Sequence, residues 1–111
     1  MSIPKPGKPV RGSKTGAPIM ALFDLLGRRW AMGIVWNLSR GPLTFRALQA
    51  ACERKNGVIS PSILNGRIKD LREAKLLERT IDGYKLTQLG EELFALIEPL
   101  EDYSQGWAKA L

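Results

Sequence analysis

A mainly α domain carrying one small β-hairpin is what this 111-residue sequence predicts, and three adjoining stretches predict it. Residues 57–77, GVISPSILNGRIKDLREAKLL, contain a helix start: Ser60 suits an N-cap, and Pro61 has a fixed φ and a missing donor that cost nothing in a first turn. Residues 43–57, LTFRALQAACERKNG, give a helix before it, with Thr44 as cap and Phe45, Leu48 and Ala51 or Cys52 on one face. Residues 76–87, LLERTIDGYKLT, read as two short strands joined by Asp82-Gly83, a pair favoured in type I′ turns because both positions need positive φ. Helix, turn, helix and basic hairpin in that order make a winged helix-turn-helix.

The helix opened by Ser60 has two unlike faces. At about 100° per residue, Leu64, Ile68, Leu71 and the aliphatic stem of Lys75 share one stripe, while Ser62, Asn65, Gly66 and Lys69 share the other side or its flank. Taken alone it reads as an amphipathic core helix with a solvated face; its neighbours point further. A capped, basic helix with a slim polar face fits a DNA major groove, which is about 12 Å wide and is read by side chains such as Asn and Lys. Gly66 costs roughly 1 kcal/mol against Ala in mid-helix, which makes sense where the helix must approach another surface. Ser62, Asn65 and Lys69 are the expected readers of base edges, beside Ser60 and Gly66. Arg28, Arg46, Arg79 and Lys85 are the expected phosphate contacts, and Arg67 completes the expected DNA-binding set.

The remaining elements follow in chain order. Residues 1–16, MSIPKPGKPVRGSKTG, mix Pro, Gly and cations without apolar periodicity and are expected to be a disordered basic arm, either following DNA or simply solvated. The folded domain is expected over residues 17–111. A short first helix runs from Ala17, with Ile19, Leu22, Phe23 and Leu26 at threes and fours, until Gly27. Residues 28–38, RRWAMGIVWNL, form a nearly all-round apolar central helix, with Arg28 and Arg29 where the helix dipole disfavours cations unless a phosphate lies near. The last element, from about Gln88 to Ala110, carries Leu89, Leu93, Leu96, Leu100, Tyr103 and Trp107 at spacings of four, three, four, three, four. That is the seam of a helix packed lengthwise on a partner, here expected to serve both the first helix and a homodimer; Pro99 should kink or divide it.

Composition narrows the function. A net charge of +6 favours a polyanionic partner, and its distribution says where: four cations and no acid in residues 1–14, twelve against five in 28–85, one against five in 86–111. One cysteine and no histidine leave no internal disulfide and no zinc constellation, and no cofactor is expected. Cys52 is expected as a small buried thiol, with Arg54 and Lys55 close enough to activate it were it exposed. The longest apolar runs fall far short of a membrane span, so the expected location is the cytoplasm with no membrane partner. Ser60 and Ser62 have no His to activate them and no Gly-rich phosphate loop follows a strand, which argues against an enzyme. RNA binding would expose aromatics for stacking, yet Phe45, Trp30 and Trp36 fall on apolar stripes. The alternative is a winged-helix protein-interaction module without specific DNA binding, but its reading helix would be neutral or acidic rather than bearing Arg67, Lys69, Arg72 and Lys75 against Asp70 and Glu73.

Five segments in this order, APIMALFDLLGRRW, GPLTFRALQ, ISPSILNGRIKDLREAKLLER, YKLTQLG and IEPLEDYSQGW, resemble the successive signatures of HxlR-type winged helix-turn-helix transcriptional regulators, relatives of the MarR group. The resemblance covers most of residues 17–107. It implies a homodimer on palindromic double-stranded DNA, paired through its first and last helices. Two departures stand out. The family's common cysteine before the first Pro is Ala17 here, and the hairpin is shorter than usual, which argues against a deeply inserted wing. No residue set identifies a small-molecule effector, the regulated gene or the sign of regulation.

Overall fold

In the computed structural model, which describes residues 3–111 apart from the side chain of Lys55, the chain runs α1 (Pro18–Leu26), α2 (Ala31–Leu38), α3 (Phe45–Asn56), α4 (Pro61–Glu73), β1 (Leu77–Thr80), β2 (Gly83–Leu86), α5 (Gln88–Ile97) and α6 (Leu100–Ala110). Three of these helices start on a hydroxyl that takes up a free backbone N–H. Thr44 accepts from Ala47 N at 3.2 Å, Ser60 from Ile63 N at 3.1 Å and Thr87 from Gly90 N at 3.1 Å. The first two were legible as caps in the sequence.

The core forms around α2, which packs on α1, α3, α4, α5 and β2. Ile34, Val35 and Leu38 meet Leu48 and Cys52 from α3, Leu64, Ile68 and Leu71 from α4, and Leu93 and Ile97 from α5, all buried. Burying each large aliphatic side chain is worth about 1.5–3 kcal/mol, so this one cluster orients every helix through α5. Trp36 adds an edge-to-face contact with Phe94, ring centroids 5.1 Å apart. α6 stands outside: none of its residues is buried.

The connection from α3 to α4 is held by side chains on its own flank. Ile59, buried, donates its N–H to Glu53 at 2.9 Å, and its carbonyl accepts from Gln49 Nε2 at 3.1 Å. Gly57 enters this connection at φ 86°, ψ −173°, a region that is essentially glycine's alone. The turn between the two helices is thereby held by side chains six and ten residues before Ile59.

Several expectations need correction. The hairpin pairs Thr80 with Gly83, so its two-residue turn is Ile81-Asp82 and not Asp82-Gly83. Asp82 has no positive φ; the turn is instead closed by the Thr80 hydroxyl, which accepts from Asp82 N at 3.2 Å and lies 3.2 Å from the Gly83 carbonyl. Gly83 is needed for another reason: Leu43 bonds to Tyr84 on both sides, at 2.8 and 3.0 Å, and a Cβ at position 83 would collide with the Leu43 carbonyl. Lys75 lies past the end of α4 at φ 65° and is exposed, so Leu76, not the Lys75 stem, continues the apolar stripe. The second helix starts at Ala31 rather than Arg28, because Trp30 turns the chain at φ 78° with its ring beneath the Arg29 guanidinium, 4.8 Å away. Leu93 belongs to the core and not to an external seam.

The amino-terminal segment, expected as a disordered arm, folds back in its described part, residues 3–16; Met1 and Ser2 lie outside the described residues. Val10 and Ser13 exchange backbone hydrogen bonds at 2.8 and 3.1 Å, and Gly7 N donates to Gly16 O at 2.8 Å. Arg11 meets Asp24 of α1 through both its backbone N–H, at 3.1 Å, and its guanidinium, at 3.4 Å, while Lys5 lies 3.7 Å from Glu73 at the end of α4. Pro and Gly serve tight turns as readily as disorder, and the acid that decides between them, Asp24, is far along the chain.

Candidate nucleic-acid interface

α4 is held from behind and bare in front. Leu64, Ile68 and Leu71 fix its inner face in the core, while Ser62, Asn65 and Lys69 are exposed on the opposite side. Beside them Gly66 has open space: an added Cβ would meet nothing within 4 Å. No internal packing therefore requires a glycine there, and its small profile concerns whatever approaches from outside. Ser60, the cap, is exposed at the amino end of the helix.

Exposed cations also stand on α3, at the end of α4 and on the hairpin. Arg46 is exposed in the first turn of α3. At the other end of α4 a shallow depression is lined by Lys69, Arg72 and Arg79 together with Glu73, Leu77 and Glu78. Arg79 sits over the Tyr84 ring at 5.9 Å, and Lys85 stands opposite Glu78 across the hairpin, both exposed. Ile81 at the tip is fully exposed. Arg72 was missing from the expected set, although it falls seven residues beyond Asn65 on the same helical flank.

Two expected contacts are placed differently. Arg28 is not a free cation at a helix start: its Nη1 donates to Asp70 Oδ2 at 3.1 Å. Arg67 donates from Nε to the Arg29 carbonyl at 2.9 Å and approaches the same carboxylate oxygen at 3.5 Å. Asp70, one of the two acids on this basic helix, is the centre of this arrangement. A signal was present, since Arg67 and Asp70 are spaced for contact on one helix, but the Arg28 partner 42 residues away had none.

The expected pairing seam divides into one buried position and five exposed ones. Leu93 packs inward, while Leu89, Leu96, Leu100, Tyr103 and Trp107 are exposed, as are Ile19 and Phe23 on α1. Cys52 is 1% exposed, with Asn37 Nδ2 3.9 Å from its sulfur, and burial pushes the thiol above its ordinary pKa. Among the described residues, no helix is long and apolar enough to cross a membrane.

Comparison with known proteins places this geometry. The family model for HxlR-like helix-turn-helix proteins matches residues 25–111. An uncharacterised HTH-type transcriptional regulator of Methanocaldococcus jannaschii is 24% identical over 91 residues, covering 82% of this chain and 86% of the relative. The solved structure of a possible HxlR family transcriptional factor from Thermoplasma volcanium is 30% identical with a TM-score of 0.68, over 79% of this chain and 82% of that one. The quinone-bound YodB from B. subtilis is 28% identical with a TM-score of 0.66, over 84% of this chain and 97% of that one.

Proposed function

This chain belongs to the HxlR-like helix-turn-helix family of transcriptional regulators, DNA-binding proteins and not enzymes, and on that premise we propose that it binds an inverted-repeat operator as a two-fold homodimer with α4 in the major groove. The observation that carries this reading is the bare face of α4: Ser62, Asn65 and Lys69 exposed around a glycine that no internal contact requires, on a helix otherwise fixed in the core. Asn65 suits adenine and Lys69 guanine, while Arg46, Arg72, Arg79 and Lys85 neutralise phosphates on either side. A two-fold pair presents two such helices, so half-site centres should lie about 10 bp, roughly 34 Å, apart. The wing, with a two-residue turn, contacts backbone rather than entering a groove deeply.

The relative solved with quinone suggests a small-molecule signal here as well. A covalent thiol route is unsuited to this chain, since position 17 is Ala and Cys52 is buried. A groove of about 380 Å³ between α1, α5 and the folded arm, lined by Ile3, Pro4, Leu22, Leu25 and Leu96, suits an apolar ligand held without a covalent bond.

Selection of bound sequences from a random duplex pool tests the reading. A recovered inverted repeat with the stated spacing is the expected result, and a pool that stays random through selection would overturn it.

A further inference from the structure

Resting on the reading that α4 enters the major groove, we infer that Asp70 sets the selectivity of that helix by keeping Arg28 and Arg67 off the phosphate backbone. One oxygen, Oδ2, receives Arg28 Nη1 at 3.1 Å and Arg67 Nη1 at 3.5 Å. The carboxylate side chain is 16% exposed and the two arginines 24% and 29%, so the cluster is shielded while each guanidinium keeps an edge toward solvent. Arg67 is held a second time, by its Nε on the Arg29 carbonyl at 2.9 Å.

The placement gives this cluster its consequence. Asp70 and Arg67 lie on a flank of α4, between the buried stripe of Leu64, Ile68 and Leu71 and the exposed face of Ser62 and Lys69. Arg28 comes from the corner between α1 and α2. Two guanidiniums therefore stand beside the groove-facing surface with their forks turned inward. Arginine is the side chain best matched to phosphate, and a phosphate contact adds affinity for every sequence alike. Each arginine held by Asp70 withholds that indiscriminate affinity. Because a regulator competes against a vast excess of non-specific sites, withholding it raises the effective selectivity of the readers on α4. The same cluster ties α4 to the α1–α2 corner, which fixes the angle at which those readers arrive.

The full-length chain and its Asp70→Asn variant should be titrated against the duplex the parent selects and a scrambled duplex, between 50 and 200 mM salt. The variant is expected to bind the scrambled duplex more tightly at low salt and to lose discrimination between the two. Its salt slope should steepen by about 0.9 for each arginine freed, so about 3.5-fold of the gain disappears per arginine across that range. Asp70→Glu should restore parental behaviour, and Arg28→Gln with Arg67→Gln should return the slope of the Asn variant to the parental value. Should Asp70→Asn fail to fold in a thermal melt, the double Arg→Gln change in the parent decides: an unchanged slope is expected, and a slope shallower by about 1.8 would mean the arginines already touch phosphate. Parallel weakening on both duplexes with an unchanged slope in Asp70→Asn would overturn this inference alone. A parent that binds no duplex would instead overturn the DNA-binding reading.

Discussion

Replacing Trp107 by Ser should dissociate the proposed homodimer while leaving the protomer folded. The ring is 57% exposed on α6, a helix with no buried residue, so it contributes little to the stability of a single chain. Exposed substitutions of this kind change unfolding free energy by about 0.5 kcal/mol or less. In a two-fold pair the same ring is covered. Aromatic side chains bury about 150–250 Å², and covering most of what Trp107 still exposes removes roughly 100 Å² from water. At about 25 cal/mol per Å² that is near 2.5 kcal/mol per protomer, or about 5 kcal/mol for the symmetric pair. Such a loss weakens dimerisation by about three to four powers of ten. Sedimentation velocity over a concentration series, run beside thermal melts, measures both quantities. An unchanged dimer constant in the variant, or a parent that is monomeric at about 100 µM, would refute the reasoning.

Three further outcomes are expected. Asn65→Ala should cost about 1–3 kcal/mol on the selected duplex and flatten preference at one position, whereas Lys85→Ala should weaken all duplexes alike and reduce the salt slope by about 1; equal effects of the two on selected and scrambled DNA would void that division. Gly57→Ala forces a side chain into φ 86°, ψ −173°, and denaturant unfolding should show a loss of about 1–3 kcal/mol, against a gain of about 1 kcal/mol for an alanine at the open mid-helix position Gly66. Because burial raises the Cys52 thiol pKa, the folded state holds its proton longer than the unfolded chain does. That contribution to stability is intact below the unfolded thiol's pKa, about 8.5, and is lost as pH rises through the folded value, so Cys52→Ala should show a shallower decline in stability above that pH.

What could be read from the sequence was whatever lay within one turn or one helix. Ser60 and Thr44 announce their helices because a cap acts over three residues, and the Leu64, Ile68 and Leu71 stripe announces its buried face by period alone. Contacts between distant residues leave no such trace. Arg28 beside Arg29 at an apparent helix start looked like a phosphate site because nothing nearby opposes it; the opposing charge, Asp70, arrives only when α4 packs on α2. The fold-back of residues 3–16 leaves no local trace for the same reason, since Asp24 and Glu73 are remote in sequence from the cations they hold. The hairpin turn slipped by one residue because Asp-Gly is a strong local signal, and Leu43, pressed against position 83, requires glycine at the start of β2 instead.

Pro99 falls where one apolar repeat passes from buried to exposed positions. The spacing from Leu89 to Trp107 keeps phase across it, so by sequence the seam is continuous. In the fold the helix is divided there: before the break Leu93 and Ile97 are drawn into the core under α2, and after it Leu100, Tyr103 and Trp107 face solvent. Glu98 and Pro99 at the break both keep right-handed helical angles, yet no residue beyond it is buried. Its acids Glu101 and Asp102 sit in the first turn, where the helix dipole favours them, and Lys109 sits in the last. A helix so capped by charge yet unburied in its own protomer supports the proposed homodimer, in which a two-fold axis would bring a matching α6 alongside its apolar stripe.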